Sequence, residues 1–154
     1  LLYVQVPYPP AEDELEILRL VRAEKASKET DDATKIAQDA IFEARRLVNE
    51  VHVAESVEQY IVDLVLATRH PDRYGDGLGR LIQVGASPRA TIAIDAASRA
   101  RAWLYGNDFV SPEDIQAVAP ACLAHRLHLS YEAEAEGKTR ENVVDALLEQ
   151  VAVA

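Results

Sequence analysis

The sequence predicts a mainly α fold: a helical bundle preceded by one strand and one helix that belong to an α/β layer. Three observations predict it. From about Thr34 onward, apolar residues recur at helical spacing, in runs opened by capping residues or prolines. Only Leu1-Leu2-Tyr3-Val4-Gln5-Val6 is a near-continuous apolar run of the kind that suits a strand buried on both faces. No second such strand follows, so the sheet that would satisfy its backbone is expected to lie upstream of this sequence.

The elements follow in order. The strand closes at Pro7 and Pro9-Pro10, and a helix is expected from about Ala11 to Glu24. Its first turn holds Glu12, Asp13 and Glu14, with Arg19 and Arg22 later, in sympathy with the helix dipole. Ser27 to Asp32 is a polar break and the expected boundary. A helix over Thr34 to Val51 carries Ile36, Ala40, Ile41, Leu47 and Val48. Ser56, with Gln59 three residues on, reads as a capping box for a helix striped by Val57, Tyr60, Ile61, Leu64 and Val65.

His70 to Val84 reads as a loop, broken by Pro71 and by Gly75, Gly77 and Gly79. Ser87-Pro88 opens a long Ala-rich helix that runs through Trp103 and Leu104 and stops at Gly106. Ser111-Pro112-Glu113-Asp114 repeats that start signal for a helix through Ile115, Val118, Cys122 and Leu123. Leu127, Leu129 and Tyr131 alternate as a short extended stretch, and Thr139 caps a last helix through Val143, Val144, Leu147, Leu148 and Val151.

Composition narrows the function. Of 154 residues, 49% are hydrophobic, enough to bury a core. Sixteen Lys and Arg against 26 Asp and Glu leave a net charge of −10, which disfavours a nucleic-acid binder. The densest basic spots, Arg45-Arg46 and Arg99 with Arg101, have apolar or acidic neighbours and form no basic patch. The lone Cys122 fits a reducing compartment, hence a cytoplasmic protein. No apolar run approaches the roughly 18 residues of a membrane span. The chain opens at Leu1 and contains no Met, so a fragment of a longer polypeptide is expected.

The most informative segment is Gly85-Ala86-Ser87-Pro88-Arg89-Ala90-Thr91. With Ser87 as cap, Arg89 falls in the first turn, where the helix already carries partial positive charge. A guanidinium there, beside free first-turn N–H groups, suits an anion such as phosphate. The plain alternative is an arginine pointing to water. Gly85, Ala86 and Ala90 would permit close approach of a ligand or of another backbone.

Other candidates are weaker. Gly137-Lys138-Thr139 imitates the tail of a phosphate-gripping loop, but the required first glycine is Glu132, so Thr139 reads as a helix cap. No apolar strand ends in Asp-Glu to hold magnesium. Gly75-Asp76-Gly77-Leu78-Gly79-Arg80 follows a helix rather than a strand and reads as a mobile loop. His125 and His128 lack a third metal ligand at a fixed spacing. Glu132, Glu134 and Glu136 read as a solvated face, and Cys122 as a buried structural thiol.

Gly85-Ala86-Ser87-Pro88-Arg89-Ala90 resembles the sensor-2 signature of MoxR-type AAA+ ATPases. Tyr105-Gly106-Asn107-Asp108-Phe109-Val110-Ser111-Pro112-Glu113-Asp114-Ile115 is similar to the stretch that follows it there, and His125 through Gly137 to a later family segment. Val51-His52-Val53 and Tyr60 to Val65 fit the start of that family's lid. Tyr8-Pro9 with Glu12 to Arg19 fits the final strand and helix of its core. The glycine-rich stretch before Gly85 departs from the family as an extended insertion.

The resemblance implies residues 1–27 as core and residues 28–154 as helical AAA+ lid. It implies Arg89 as the sensor-2 arginine that reaches the γ-phosphate of ATP, with Tyr8 and Ala90 lining the nucleotide pocket. ATP with magnesium would bind the full-length protein, and the fragment alone would not hydrolyse it. A homo-oligomeric ring, a hexamer, is implied, as are chaperone-like remodelling and partners with von Willebrand factor A domains. The rival reading is a stand-alone helical adaptor that binds proteins through an acidic or apolar face. A helix-turn-helix DNA binder would need a basic recognition helix, whereas the helix from Ser87 is Ala-rich and suited to packing.

Overall fold

A computed structural model describes residues 1–26, 35–74 and 76–153. The fold is mainly α, with eight α-helices and one two-stranded sheet among the described residues. Two compact units are present, Val4–Glu43 and a larger one made of Leu1–Tyr3 with Ala44–Ala154. Among the described residues, no helix is long and apolar enough to cross a membrane.

Helix α1 (Ala11–Ala26) has Glu12, Asp13 and Glu14 in its first turn and Lys25 in its last, as the helix dipole favours. It buries none of its residues: Leu15, Ile17, Leu18, Leu20 and Val21 are all exposed. The apolar run Leu1–Val6, expected as a strand, forms none. A strand needs a neighbour for its N–H and C=O groups. The strands among the described residues pair only with one another, and the Tyr3 N–H instead donates to the Ala121 carbonyl at 2.9 Å. The polar break from Ser27 to Asp32 and the expected helix start at Thr34 lie outside the described residues. Helix α2 runs Gln38–Glu50.

Helix α3 (Glu55–Arg69) buries the expected stripe of Val57, Tyr60, Ile61, Leu64 and Val65. The expected capping box at Ser56 does not form. Ala54 occupies the N-cap position in an extended conformation, so Ser56 lies inside the first turn. Gln59 instead donates to Asp63 at 2.9 Å.

The stretch expected as a loop is more ordered than its glycines suggest. It contains a 3-10 turn (Pro71–Tyr74), a single helical turn α4 (Asp76–Gly79) and strand β1 (Ile82–Val84). Buried Pro71, Leu78 and Ile82 tie it to the core and override the local glycine signal. Strand β1 pairs antiparallel with β2 (His128–Leu129), Ile82 opposite Leu129 and Val84 opposite His128. Leu127 and Leu129 face inward as the alternation predicts, whereas Tyr131 is exposed and opens helix α7 (Tyr131–Ala135).

Helix α5 (Arg89–Leu104) buries Ala90, Ala93, Ile94, Ala97, Ser98 and Ala102, and packs on α6 (Pro112–Leu123). Small side chains on that face let the two helices approach closely. Helix α5 ends in a Schellman motif: Gly106 has φ +79°, the Asn107 N–H donates to Ala102 O at 2.9 Å, and the Gly106 N–H to Trp103 O at 3.0 Å. Helix α6 opens with a true capping box, Ser111 with Asp114, and Pro112 at its start. Helix α8 (Arg140–Gln150) opens with another, Thr139 with Asn142. Tyr60, Leu64, Ile94, Ile115, Leu123, Leu127 and Leu147 are fully buried and form the centre of one core. Each such side chain contributes about 1.5–3 kcal/mol by leaving water.

Two expectations follow from the caps. Ser111→Ala should cost about 1 kcal/mol, because the Asp114 N–H loses the Ser111 hydroxyl that it donates to. Ser56→Ala should stay within about 0.5 kcal/mol, since no cap is lost. Chemical denaturation of the purified variants distinguishes the two; equal losses would refute the assignment of the helix starts. Cys122 is fully buried, and desolvation pushes its thiol pKa up. A raised folded-state pKa favours folding while the thiol is neutral, and this contribution is lost as pH rises through the raised value. At neutral pH a thiol reagent should therefore label Cys122 only on unfolding, and rapid labelling of the native chain would contradict its burial.

Candidate functional site

The turn from β1 into α5 is fastened to the end of α3. A Cβ on Gly85 would stand 2.3 Å from the Thr68 carbonyl oxygen, 2.6 Å from its carbon and 2.8 Å from the Arg69 nitrogen. Those are backbone atoms that cannot swing aside, so only glycine lets the two chain segments lie together. The close approach that the small residues permit is thus taken by backbone.

Ala86 is held on both sides. Its N–H donates to Thr68 Oγ1 at 2.9 Å, and its carbonyl accepts from Arg69 Nε at 2.7 Å. The Thr68 hydroxyl donates in turn to Val65 O at 2.7 Å. With Thr68 and Ala86 both buried, the hydroxyl is used as donor and acceptor in a dry site, where an unmet partner is costly.

Helix α5 then begins at Arg89. Pro88 occupies the N-cap position with φ −56° and ψ −19°, and no side chain caps the helix. The cap expected from Ser87 therefore does not form, because the residue at the cap is a proline with no acceptor. The Ser87 carbonyl accepts from the Ala90 N–H at 2.8 Å, so one first-turn N–H expected to be free for an anion is already used.

Arg89 is exposed, and among the described residues it has neither a hydrogen bond nor an ion pair. No acidic residue sits in its helix turn to offset the dipole. Ala90 is fully buried, its methyl group turned into the core, and Tyr8 is exposed. Further along α5 the arginines are engaged. Arg99 pairs with Asp95 at 2.9 Å and donates to the Val51 carbonyl at 2.6 Å. Arg101 Nε lies 3.3 Å from Asp114, without hydrogen-bond alignment, and its guanidinium stacks 4.4 Å over the Tyr105 ring.

Some of the remaining candidates are built into the fold and others lie in solvent. Gly137 (φ +69°) closes α7 with a second Schellman motif, the Lys138 N–H reaching Ala133 O at 3.0 Å. His125 stacks on Tyr3 with centroids 5.8 Å apart, and desolvation together with neighbouring Arg126 lowers its pKa. His128 is exposed on β2. Glu132, Glu134 and Glu136 are solvated, Glu136 lying 3.8 Å from Arg80. In the glycine-rich stretch Leu78 is buried and anchors α4, while Gly75 lies outside the described residues. Thr68 and Arg69 were not singled out by sequence reasoning. Their partner lies 17 to 18 positions away, and no local spacing signals such a contact.

Residues 79–147 match the AAA lid domain family. The chain is 32% identical to the chaperone MoxR1 of Mycobacterium tuberculosis, over 99% of this chain and 40% of that protein. It is 37% identical to the uncharacterized protein YeaC of Bacillus subtilis, over 99% of this chain and 45% of that one. A crystal structure of a Cytophaga hutchinsonii protein, provisionally described as an ATPase, superimposes with a TM-score of 0.84 at 34% identity. That match covers 99% of this chain and 46% of the other. The chain thus spans less than half the length of these relatives. The matched lid, the similarity to a MoxR chaperone along nearly all of this chain and the shared fold together give the assignment: this chain belongs to the MoxR family of AAA+ ATPases and carries its lid domain.

Proposed function

We propose that this chain is the lid portion of an ATP-driven, chaperone-like remodeller, and that Arg89 is its sensor-2 residue. In this reading Arg89 donates to the γ-phosphate of ATP held by the nucleotide-binding core of the same polypeptide. When hydrolysis removes that phosphate the charge-assisted bonds are lost, and the lid is released from the core. Developing charge on the transferring phosphoryl group would be stabilised by the same guanidinium.

One observation carries the reading. Arg89 stands exposed and, among the described residues, without a partner on a turn that is otherwise tightly fastened. A surface arginine on a loose loop would lose much side-chain and backbone entropy on meeting a ligand; here the backbone share is already spent. The phosphate-binding loop and the magnesium ligands would come from the core.

Residues 1–27 fit the last strand and helix of that core, and residues 28–154 the lid. The unburied apolar side of α1 supports this division, because such a face is stable in water only when other chain covers it. Leu1–Val6 would become a strand when neighbouring strands are supplied. Tyr8 would line the nucleotide pocket. Buried Ala90 would act there through the helix backbone it seats, not through its methyl group. A homohexameric ring, partners with von Willebrand factor A domains and a cytoplasmic setting complete the proposal. They rest on the family resemblance.

In the full-length enzyme, Arg89→Ala should lower ATP turnover by on the order of tenfold to a hundredfold, the range for losing a donor to a developing oxyanion. Steady-state hydrolysis measured beside nucleotide affinity gives the answer. Wild-type turnover in that variant would exclude Arg89 from the role.

A further inference from the structure

We infer that Thr68 and Arg69, at the end of α3, are positioning residues for Arg89. They act through the Ala86 backbone that they grip from both sides. The inference rests on the sensor-2 reading of Arg89 and extends it to residues that touch no nucleotide.

The geometry gives the reason. Between Ala86 and Arg89 lie only Ser87 and Pro88, and Pro88 has a fixed φ, here −56°. The chain therefore has little slack between the clamp and the guanidinium. Upstream, Gly85 lies against the Thr68 and Arg69 backbone at distances that would bar any Cβ. The Ala86 N–H and carbonyl are fixed by Thr68 Oγ1 at 2.9 Å and Arg69 Nε at 2.7 Å. The partner of Ala86 is thus the helix terminus itself, a rigid element, and the start of α5 is set relative to α3 by bonds to the two successive peptide groups that flank the Ala86 Cα.

Among the described residues Arg89 has no hydrogen bond or ion pair of its own to fix its direction, so its aim is inherited from that turn. Loss of the Thr68 hydroxyl would leave the buried Ala86 N–H without an acceptor and allow the turn to shift. A shift of about 1 Å is enough to misplace a reacting group severely.

The test uses the full-length ATPase and a double-mutant cycle. Thr68→Val keeps the shape of the side chain and removes the acceptor. It should lower kcat on the order of tenfold with a smaller change in KM for ATP. Thr68→Ser, which restores the hydroxyl, should restore most of kcat. Arg69→Ala should act in the same direction as Thr68→Val.

The deciding measurement places Thr68→Val in an Arg89→Ala background. If Thr68 works by aiming Arg89, the second substitution adds little further loss of kcat, although a thermal melt still records its destabilisation. An equal fold-loss of kcat in both backgrounds overturns the inference, because a general structural weakening would act whether or not Arg89 is present. Near-normal turnover of Arg89→Ala alone removes the sensor-2 reading instead, so the two failures are distinguishable.

Discussion

The approach of Gly85 and Ala86 to the last residues of α3 is the contact on which the rest of the arrangement depends. It joins the glycine-rich excursion, the two-stranded sheet and the long helix α5 to the helix that begins the buried core. No side-chain packing could bring two backbones so near: the space a methyl group would need is filled by the Thr68 carbonyl. The cost of burying polar backbone at such a junction is met by giving the Ala86 N–H and carbonyl separate partners. One hydroxyl and one guanidinium therefore hold the turn that leads into a sixteen-residue helix.

That helix behaves as a rod with ends set independently. At its start Arg89 reaches solvent; near its far end the Schellman glycine turns the chain, and Arg101 is held by Asp114 and Tyr105. Between them Arg99 hooks the Val51 carbonyl, close to where the chain passes from α2 into α3. Sixteen residues at 1.5 Å each make a lever of about 24 Å. Its buried face is mostly alanine, which seats the backbone against α6 with little side-chain bulk to yield. A force on Arg89 would be carried through that face as a whole.

Much of this was legible from the sequence, and the failures have a common cause. The caps at Ser111 and Thr139 were found because their bonds close within three residues. The stop at Gly106 obeys an equally local rule, whereas the one at Gly137 went unread because the five-residue helix before it is too short to show a periodicity. Ser56 and Ser87 carried the same local signal and were misassigned, since packing began α3 at Glu55 and Pro88 took the cap position of α5. Strand β1 was hidden because it is only three residues long and its partner β2, whose alternation was visible, lies more than 40 residues away. Leu1–Val6 shows the converse: a strong strand pattern with no strand beside it among the described residues. At the candidate site, Arg89 could be picked out by its anomalous charge, whereas Thr68 and Arg69 could not, because what they bind is backbone. A backbone partner leaves no mark in the sequence beyond the need for glycine next to it.

On the proposed sensor-2 reading of Arg89, the energetics of a single sensing arginine would set a demand on the lid. A ligand shifts an equilibrium only by its difference in affinity for the two states. One hydrogen bond to a charged group is worth about 1.5–3 kcal/mol, a factor of roughly ten to a hundred and fifty in population. For loss of one phosphate to be felt, attached and released lids must lie within that narrow range of each other in its absence. A loosely mounted arginine would spend much of the same small quantity on ordering its own turn. Fastening that turn in advance, through Gly85, Thr68 and Arg69, would leave nearly all of it to bias the lid. The clamp is therefore the feature that would make so small an interaction sufficient.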